Sequence, residues 1–477
     1  MKRFTKQAMA IVAIAAFAVA GCKKGSDGSF NRANEAGGPF TGADSVISGN
    51  ITASRTLSPG KVYKLNGIVF VTGGAKLTIQ PGTVITTGAA VGYRVSPTAA
   101  VNQIAGVLVI TKTGTIDALG TPDQPIVFTT PNAPNTGSTI NRRAGDFGGV
   151  IVLGQSTTNK PATQEIEGLP KFDANGNSLG IDISYGGGAA PAGSSGTIQY
   201  VRIEYAGFKL APDNEINGLT LGGVGSGTTI DHVQVSFGAD DAFEFFGGTV
   251  NARYLLAVAN DDDDFDTDFG YTGHIEYAIG LKDPSSTHST SGTPAVSDSN
   301  GIESDNDADA SSLTPKTKPV YTHFTLLGYS AAGNSTLRAG NRWRRNTDLS
   351  ITKSIIAGYN VAAEFQTGTE TSATPGGFTD NTVHAFNTPA LNPTTAVSLT
   401  GSVNSIATAS GDIANPAVFI ALGSTSANPF YTTANSGTYS FLNLFPSTST
   451  DRGAVNSGNI GEWNSGWVNF TPQTSLD

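Results

Sequence analysis

Short apolar runs recur along most of this chain, and glycine, asparagine or aspartate closes each run. They begin near residue 51, and few stretches carry apolar residues at helical spacing. β-Branched and aromatic residues favour strands, whereas Gly, Asn and Asp favour turns. The pattern therefore predicts an all-β fold built from short strands. Representative runs occupy residues 67–71, 75–79, 82–85, 106–110, 114–117 and 125–128.

Several of these runs resemble one another, so the chain contains an internal repeat. The clearest copies occupy residues 198–206, 230–238, 274–280 and 349–357. The acidic pair Asp240-Asp241 also returns 21 residues later as Asp261-Asp262. A period of about 20 to 25 residues with several short strands matches one coil of a parallel β-helix. A leucine-rich repeat would need a different leucine framework, and a propeller blade would need about 40 to 50 residues.

The repeat also predicts the domain organisation. Each coil must stack on its neighbours to bury its inward residues, so the copies belong to one elongated domain. We predict a right-handed, single-stranded parallel β-helix over residues 51–395. Residues 396–477 are expected to form an irregular C-terminal capping region.

Four motifs in the middle of the chain can be placed in register, because each reads small or polar, then apolar, then charged. They are Ala242-Phe243-Glu244, Asp264-Phe265-Asp266, Gly301-Ile302-Glu303 and Thr336-Leu337-Arg338. Equivalent positions on successive coils lie about 4.8 Å apart. If the apolar member points inward, the charged members form one outward column: Glu244, Asp266, Glu303 and Arg338.

Carboxylates at that spacing repel one another, and a hard cation relieves the repulsion. An oxygen-rich cluster without thiolates favours Ca²⁺ over zinc or copper. We therefore predict Ca²⁺ as a cofactor, with eight candidate ligands: Asp240, Asp241, Asp261, Asp262, Asp263, Asp264, Glu303 and Asp305. The alternative is a solvated acidic edge on which Asn and Asp serve only as turn residues. Phenylalanines interleaved with the acids favour carboxylates held against a packed wall.

The stacked Asp-Asp-x-Phe-Glu, Asp-Asp-x-Phe-Asp and Asn-Gly-Ile-Glu motifs resemble the calcium site of parallel β-helix pectate lyases. The resemblance is strongest to the family nine polysaccharide lyases and covers roughly residues 195–360. It implies a pectin-lyase-like solenoid that binds Ca²⁺ through aspartates on adjacent coils, with a lysine base in an Asn-Gly-Phe-Lys motif. This chain has Glu303 at the lysine position. Other lyases of this fold use arginine, so the resemblance makes Arg338 and Glu303 the candidate catalytic residues.

The chain is also similar over its whole length to an uncharacterised group of secreted β-helix proteins of Gram-negative envelopes. The similarity is carried by residues 214–225, by the acidic run at 240–248 and by the ending at 461–470. It implies a location in the cell envelope.

The N-terminus carries the parts of an export signal, with a basic start and an apolar run at residues 8–20. Its ending, Val19-Ala20-Gly21-Cys22, resembles the bacterial lipobox at all four positions. The resemblance implies a lipoprotein signal peptide at 1–21 and lipidation of Cys22. The alternative is an ordinary cleaved signal followed by a stray cysteine. Residues 22–50 are polar and glycine-rich, so they predict a flexible tether to an outer-membrane lipid anchor, with surface display left open.

Composition limits the partners. The formal net charge is −10, and removal of residues 1–21 would make it −13, because that segment holds three basic residues and no acids. An acidic chain argues against nucleic acid as a partner. Cys22 is the one cysteine, so neither a disulfide framework nor thiol chemistry is expected. The expected partners are the membrane, through the anchor, and a polysaccharide.

Two function classes fit these features. One is a calcium-stiffened surface protein that binds glycan or matrix, and the other is a calcium-dependent polysaccharide lyase or hydrolase. Arg342, Arg344 and Arg345 form a basic spot that either pairs with the acids or binds an anionic sugar. Trp343 beside them could stack on a sugar ring or pack within a coil. The glutamate at the lysine position favours binding.

Overall fold

The computed structural model describes residues 45–136, 139–211, 214–283, 286–291, 295–328, 336–366, 377–391, 403–406, 452–470 and 472. In this part of the chain the largest sheet has 24 strands, and every pairing within it is parallel. The predicted all-β parallel β-helix is therefore confirmed. The predicted signal peptide, Cys22 and most of the tether at 22–50 lie outside the described residues, as does most of 396–477.

The strands are short, as the sequence pattern predicted. The N-terminal coils contain β1 Ser45–Ile51, β2 Arg55–Leu57, β3 Val62–Val71, β4 Lys76–Ile79, β5 Val84–Thr87, β6 Val91–Arg94, β7 Asn102–Ile104, β8 Val107–Ile110, β9 Thr115–Leu119, β10 Ile126–Thr129, β11 Gly149–Leu153 and β12 Phe172–Asp173. The central coils contain β13 Gly196–Glu204, β14 Phe208–Ala211, β15 Asn214–Ile216, β16 Leu219–Val224, β17 Thr229–Ser236, β18 Phe243–Gly248, β19 Asn251–Val258, β20 Phe265–Asp268, β21 His274–Leu281, β22 Thr290–Ser291, β23 Val296–Ser297, β24 Ile302–Ser304 and β25 Val320–Leu327. The last described elements are β26 Ala339–Trp343, β27 Ser350–Thr352, β28 Ile355–Phe365, β29 Phe378–Thr379, β30 Thr382–Leu391, β31 Val403–Ile406 and the one-turn helix α1 Ile460–Trp463.

Apolar side chains stack inside the solenoid. Phe243 pairs with Phe265, and Phe265 pairs with Ile302, on the successive strands β18, β20 and β24. All three side chains belong to the main buried core, and the two phenylalanine rings lie parallel with centroids 5.4 Å apart. These are the residues predicted to point inward, so their charged neighbours at the next position are directed to the opposite face.

A long excursion between β11 and β13 covers part of the outer face. Its residues Ile166, Leu169 and Tyr185 pack with Ile151 of β11 and Phe246 of β18 in a second buried cluster. This excursion forms a wall beside the outward face of β18, the strand that carries Glu244. The acidic residues at this position are therefore partly enclosed.

Aromatic rings form a ladder along one corner of the solenoid. One residue per coil adopts a left-handed backbone there, with φ between 52° and 58°: Tyr200, His232, Tyr254, Tyr277 and His323. Each ring stacks on the next, with centroids 4.4 to 5.3 Å apart. A left-handed conformation is costly for residues other than glycine, and we infer that ring stacking between coils offsets that cost.

The described C-terminal residues 452–470, called here the strap, lie along the side of the solenoid. The backbone N–H of Ala454 donates to Thr325 Oγ1 at 2.8 Å, and that of Asn469 donates to Gln234 Oε1 at 2.9 Å. The strap thus crosses several coils, whereas the sequence had suggested a cap.

The ladder of strands is also longer than the predicted span of 51–395. Its first described strand, β1, begins at Ser45, and the ladder still continues in β31 at 403–406, which pairs in parallel with β30. Within the described residues, no helix has the length and hydropathy needed to cross a bilayer.

Candidate metal centre

Two stacked columns of polar residues run along the middle coils. The first, called here the Asx column, lies two positions before the inward residues of successive strands and contains Asn217, Asp241, Asp263 and Asn300. The backbone N–H of Asp263 donates to Asp241 Oδ1 at 2.8 Å. The backbone N–H of Asn300 donates to Asp263 Oδ1 at 2.6 Å. The two central rungs of this column are therefore carboxylates, each fixed by the next coil.

The second column is the outward one. Strand register places Glu244 beside Asp266, Asp266 beside Glu303, and Glu303 beside Arg342. The sequence alignment had placed Arg338 in this last position, and that assignment is wrong by four residues. The cause lies in β26, which has the polar residue Asn341 at the inward position, so it lacks the apolar residue that marked this position on the other strands.

Two groups of carboxylates converge where these columns meet. Ligand atoms of Asp241, Glu244 and Asp266 all lie within 4.8 Å of one another. Those of Asp241, Asp262 and Asp263 do the same. Asp241 belongs to both groups, which are called here the outward triad and the turn triad.

Four of the eight predicted ligands have cationic partners instead. The ion-pair distances are 3.4 Å for Asp240 with Lys209, 3.4 Å for Asp264 with Lys282, 2.6 Å for Glu303 with Arg342, and 2.6 Å for Asp305 with Arg345. Arg344 also contacts Glu303. Asp261 accepts a hydrogen bond from the backbone N–H of Thr287 at 2.9 Å and belongs to neither triad. The two triads therefore contain three of the eight predicted ligands, Asp241, Asp262 and Asp263. Their other two members, Glu244 and Asp266, were not among the predicted ligands.

The five triad carboxylates have no lysine or arginine ion-pair partner within the described part of the chain. Burial, reinforced by neighbouring carboxylates, raises the pKa well above the usual range for four of them: Asp241, Glu244, Asp262 and Asp266. Burial raises the pKa of Asp263 to about 6. The protein thus holds several acids close together in positions where their ionised forms are destabilised unless a cation is bound.

The predicted catalytic and ligand-binding residues are largely engaged with other groups. Arg338 donates two hydrogen bonds to Glu364, from Nε and Nη2, each at 2.9 Å. Arg342 and Arg344 both contact Glu303. The arginines therefore pair with the acids, the first of the two outcomes considered for them.

Trp343 does not fit a role in sugar stacking. Its side chain is 0% exposed and packs edge-on against Phe365, with ring centroids 5.2 Å apart. A ring enclosed in the core offers no face to a ligand.

Sequence reasoning placed Glu244 and Asp266 in the outward column but did not name them as ligands. The signal for them was present, because both follow the inward phenylalanine of an acidic motif. The amides Asn217 and Asn300, at the ends of the Asx column, were also missed. Only the pairing between strands separated by 20 or more residues shows that they share a column with Asp241 and Asp263.

Comparison with known families gives one match. A family model described as a pectate-lyase like beta helix domain matches residues 49–468. Comparisons with curated proteins and with solved structures found no match. The matched span includes both triads and most of the described strap.

Proposed function

Because this chain belongs to the family of pectate-lyase-like β-helix domains, we propose that it is a calcium-dependent, polysaccharide-binding lipoprotein of the cell envelope. The observation that carries the proposal is the pair of triads, whose five carboxylates, three buried and two partly buried, have no cationic partner among the described residues. The neighbouring acids do have such partners. A solvated acidic edge would not show this division.

Calcium is the cation whose chemistry suits the donors. Ca²⁺ takes six to eight oxygen ligands at 2.3 to 2.6 Å in a flexible geometry. The triads offer carboxylate oxygens from adjacent coils, with neither thiolate nor imidazole. Three protein carboxylates leave coordination positions that the carboxylates and hydroxyls of an acidic polysaccharide can fill. Calcium would then join two negatively charged partners that otherwise repel one another.

Binding is favoured over lyase chemistry because each candidate base is engaged. A lyase needs an unprotonated base that reaches the sugar. Arg338 donates two hydrogen bonds to Glu364, and Glu303 is neutralised by two arginines. Lys209 lies near the turn triad, but Asp240 and Glu215 raise its pKa, which keeps the ammonium form.

The binding proposal is tested with the mature protein on immobilised polyuronate. We expect retention in excess Ca²⁺ and at least a tenfold loss of affinity in EDTA or in the variant Asp262→Asn with Asp263→Asn. A neutral polysaccharide of similar length is the control ligand, and Asp309→Asn, an exposed acid outside the triads, is the control variant. Equal retention with and without Ca²⁺ would overturn the proposal. Release of unsaturated uronate products would establish the lyase alternative instead.

The envelope location rests on the lipobox-like ending at Cys22. Diacylglycerol attached to this cysteine, together with N-acylation, would anchor the chain more firmly than one acyl chain. Cys22→Ser is expected to abolish lipid labelling and to release the protein from the membrane fraction. Equal membrane retention of the variant would contradict lipidation at this residue.

A further inference from the structure

We propose that the metal centre holds two Ca²⁺ ions, one in each triad, with Asp241 as the carboxylate they share. This inference rests on the proposed calcium-binding function and extends it by giving the number of ions and the ligands of each. The outward triad supplies Glu244 and Asp266 to one ion, and the turn triad supplies Asp262 and Asp263 to the other.

Geometry separates the two positions. Ligands of one Ca²⁺ lie 2.3 to 2.6 Å from the ion, so two ligands on opposite sides are at most about 5 Å apart. Within each triad the ligand atoms meet this limit, since they lie within 4.8 Å of one another. The five carboxylates do not form one such group, and only Asp241 occurs in both. A single ion at either triad would leave two carboxylates of the other triad without a cation.

Two buried amides give an independent indication, because each has an oxygen that lacks a hydrogen-bond donor. Asn217 is 1% exposed, its Nδ2 donates to Glu244 Oε2, and its Oδ1 has no partner among the described residues. Asn300 is 0% exposed, its backbone N–H donates to Asp263 Oδ1, and its Oδ1 also lacks a partner. A buried carbonyl oxygen without a donor is unfavourable, and amide oxygens are ligands that Ca²⁺ accepts.

The two amides lie at opposite ends of the Asx column. Asn217 contacts the outward triad through Glu244, and Asn300 contacts the turn triad through Asp263. Each triad therefore has one carboxylate bonded to one of these asparagines, through the side-chain amide of Asn217 and through the backbone of Asn300, whose own side chain donates to Asp298 and Glu303. Five carboxylates with one divalent cation would keep three net negative charges in this partly enclosed place, whereas two cations would leave one.

The experiment counts calcium ions bound to the metal-stripped mature protein, by native mass spectrometry and by equilibrium dialysis with radioactive Ca²⁺. We expect two equivalents in the wild type. Glu244→Gln should retain one equivalent, because it disables the outward triad, and Asp262→Asn should retain one, because it disables the turn triad. Asp309→Asn removes an exposed acid outside both triads and should still bind two. Circular dichroism of each metal-free variant verifies that it folds.

The outcomes distinguish this inference from the proposed function. One equivalent in the wild type would overturn the two-ion centre and leave a single calcium site standing. No bound Ca²⁺ at millimolar concentration would overturn both. Two equivalents in the wild type, with both or neither lost in Glu244→Gln, would show that the ions do not occupy separate triads, and would overturn the assignment of ligands.

Discussion

Asp263 and Asp264 are neighbours in the chain and have opposite environments. Asp263 joins Asp241 and its neighbour Asp262 in the turn triad. Asp264 instead lies 3.4 Å from Lys282 Nζ, and both side chains are fully buried. A run of acids in a sequence therefore does not identify its own ligands, because members of one run have different surroundings.

The buried pair gives a prediction about stability. Lys282→Met would leave Asp264 as a buried charge without its partner, which costs about 3 kcal/mol or more. Adding Asp264→Asn removes that charge and should recover most of the loss. Urea unfolding in EDTA measures both variants. Lys76→Met, which breaks the exposed pair with Asp117, is the matched control and should cost less than about 1 kcal/mol. A similarly small effect of Lys282→Met would show that this pair contributes little.

Stability should respond to pH in opposite directions with and without calcium. Burial raises the pKa of Asp240 to about 7 and that of Asp263 to about 6. Because these values exceed the value of about 3.9 expected for the unfolded chain, the metal-free folded state binds more protons between about pH 4 and pH 7. Its free energy of unfolding should therefore fall as pH rises through that range.

Excess Ca²⁺ should reverse this dependence, since ligands must be deprotonated and protons compete with the metal. Bound calcium at a hundredfold excess over its Kd stabilises the fold by about 2.7 kcal/mol per site. Thermal unfolding at about pH 5 and about pH 8, each with Ca²⁺ and with EDTA, measures both effects. A midpoint in EDTA that rises with pH would contradict the raised pKa values.

At the scale of elements, the Asx column combines a structural ladder with a metal centre. An asparagine at each rung would stabilise the stack through its oxygen acceptor and its N–H₂ donors. Carboxylates at the central rungs Asp241 and Asp263 keep the acceptor, which binds the next backbone N–H, but lose the donors. We therefore expect the metal-free column to be less stable than one with asparagine at every rung.

Restoring asparagine should separate stability from calcium binding. In the variant Asp241→Asn with Asp263→Asn, two like charges are removed, and amide donors are added on the rungs next to Asn217 and Asn300, whose side-chain oxygens lack a donor. We expect the metal-free protein to gain about 1 kcal/mol or more and to lose its response to Ca²⁺. Thermal unfolding with and without EDTA tests this against Asp309→Asn. A metal-free variant less stable than the wild type would show that the carboxylates have another role in the stack.

The sequence predicted the elements best where apolar and polar residues alternate. Phe243, Phe265 and Ile302 were placed correctly because each is an apolar residue followed by a charged one, as a strand with one buried face requires. The predicted register was wrong at β26, where the inward position holds the polar residue Asn341 and no apolar residue marks it. Ion pairs such as Arg338 with Glu364 also could not be predicted from the sequence, because they join coils whose separation along the chain varies with loop length.

The corner ladder shows another limit of sequence analysis. Tyr200, His232, Tyr254, Tyr277 and His323 follow a shared pattern within the repeats, but aromatic residues usually favour extended strands. Here each has a left-handed backbone and stacks on the rings of adjacent coils. The stacking partner comes from another coil, so local preference alone could not predict this conformation.

At the scale of the whole molecule, the strap joins coils that are far apart in the chain. At one end Arg452 pairs with Asp380 at 2.6 Å, and beyond the other end Arg142 donates to the backbone oxygen of Pro472. Coils of a solenoid normally contact only their neighbours. A segment that contacts several coils adds long-range cooperativity, because opening any of them requires its release.

Removal of one strap anchor tests this role. Trp467 is fully buried and lies edge-on to His232, with ring centroids 5.3 Å apart. Trp467→Ala should cost about 3 to 5 kcal/mol, the usual range for a buried tryptophan, and should broaden the unfolding transition as coils begin to open separately. Trp463, which is also buried, packs with its centroid 5.8 Å from that of Trp467, so its fluorescence should shift towards that of an exposed ring.

Ser457→Ala provides the control for this measurement, because Ser457 lies on the same strap and is exposed. Trp467 packs in a buried cluster with residues of β19, β21 and β25, whereas the triad carboxylates lie on or just before β18 and β20. The increase in midpoint caused by Ca²⁺ should therefore be similar in Trp467→Ala and in the wild type. If the variant unfolds at the same midpoint as the wild type, the strap does not stabilise the solenoid. If Ca²⁺ no longer raises the midpoint of Trp467→Ala, the strap and the metal centre are coupled through the coils between them.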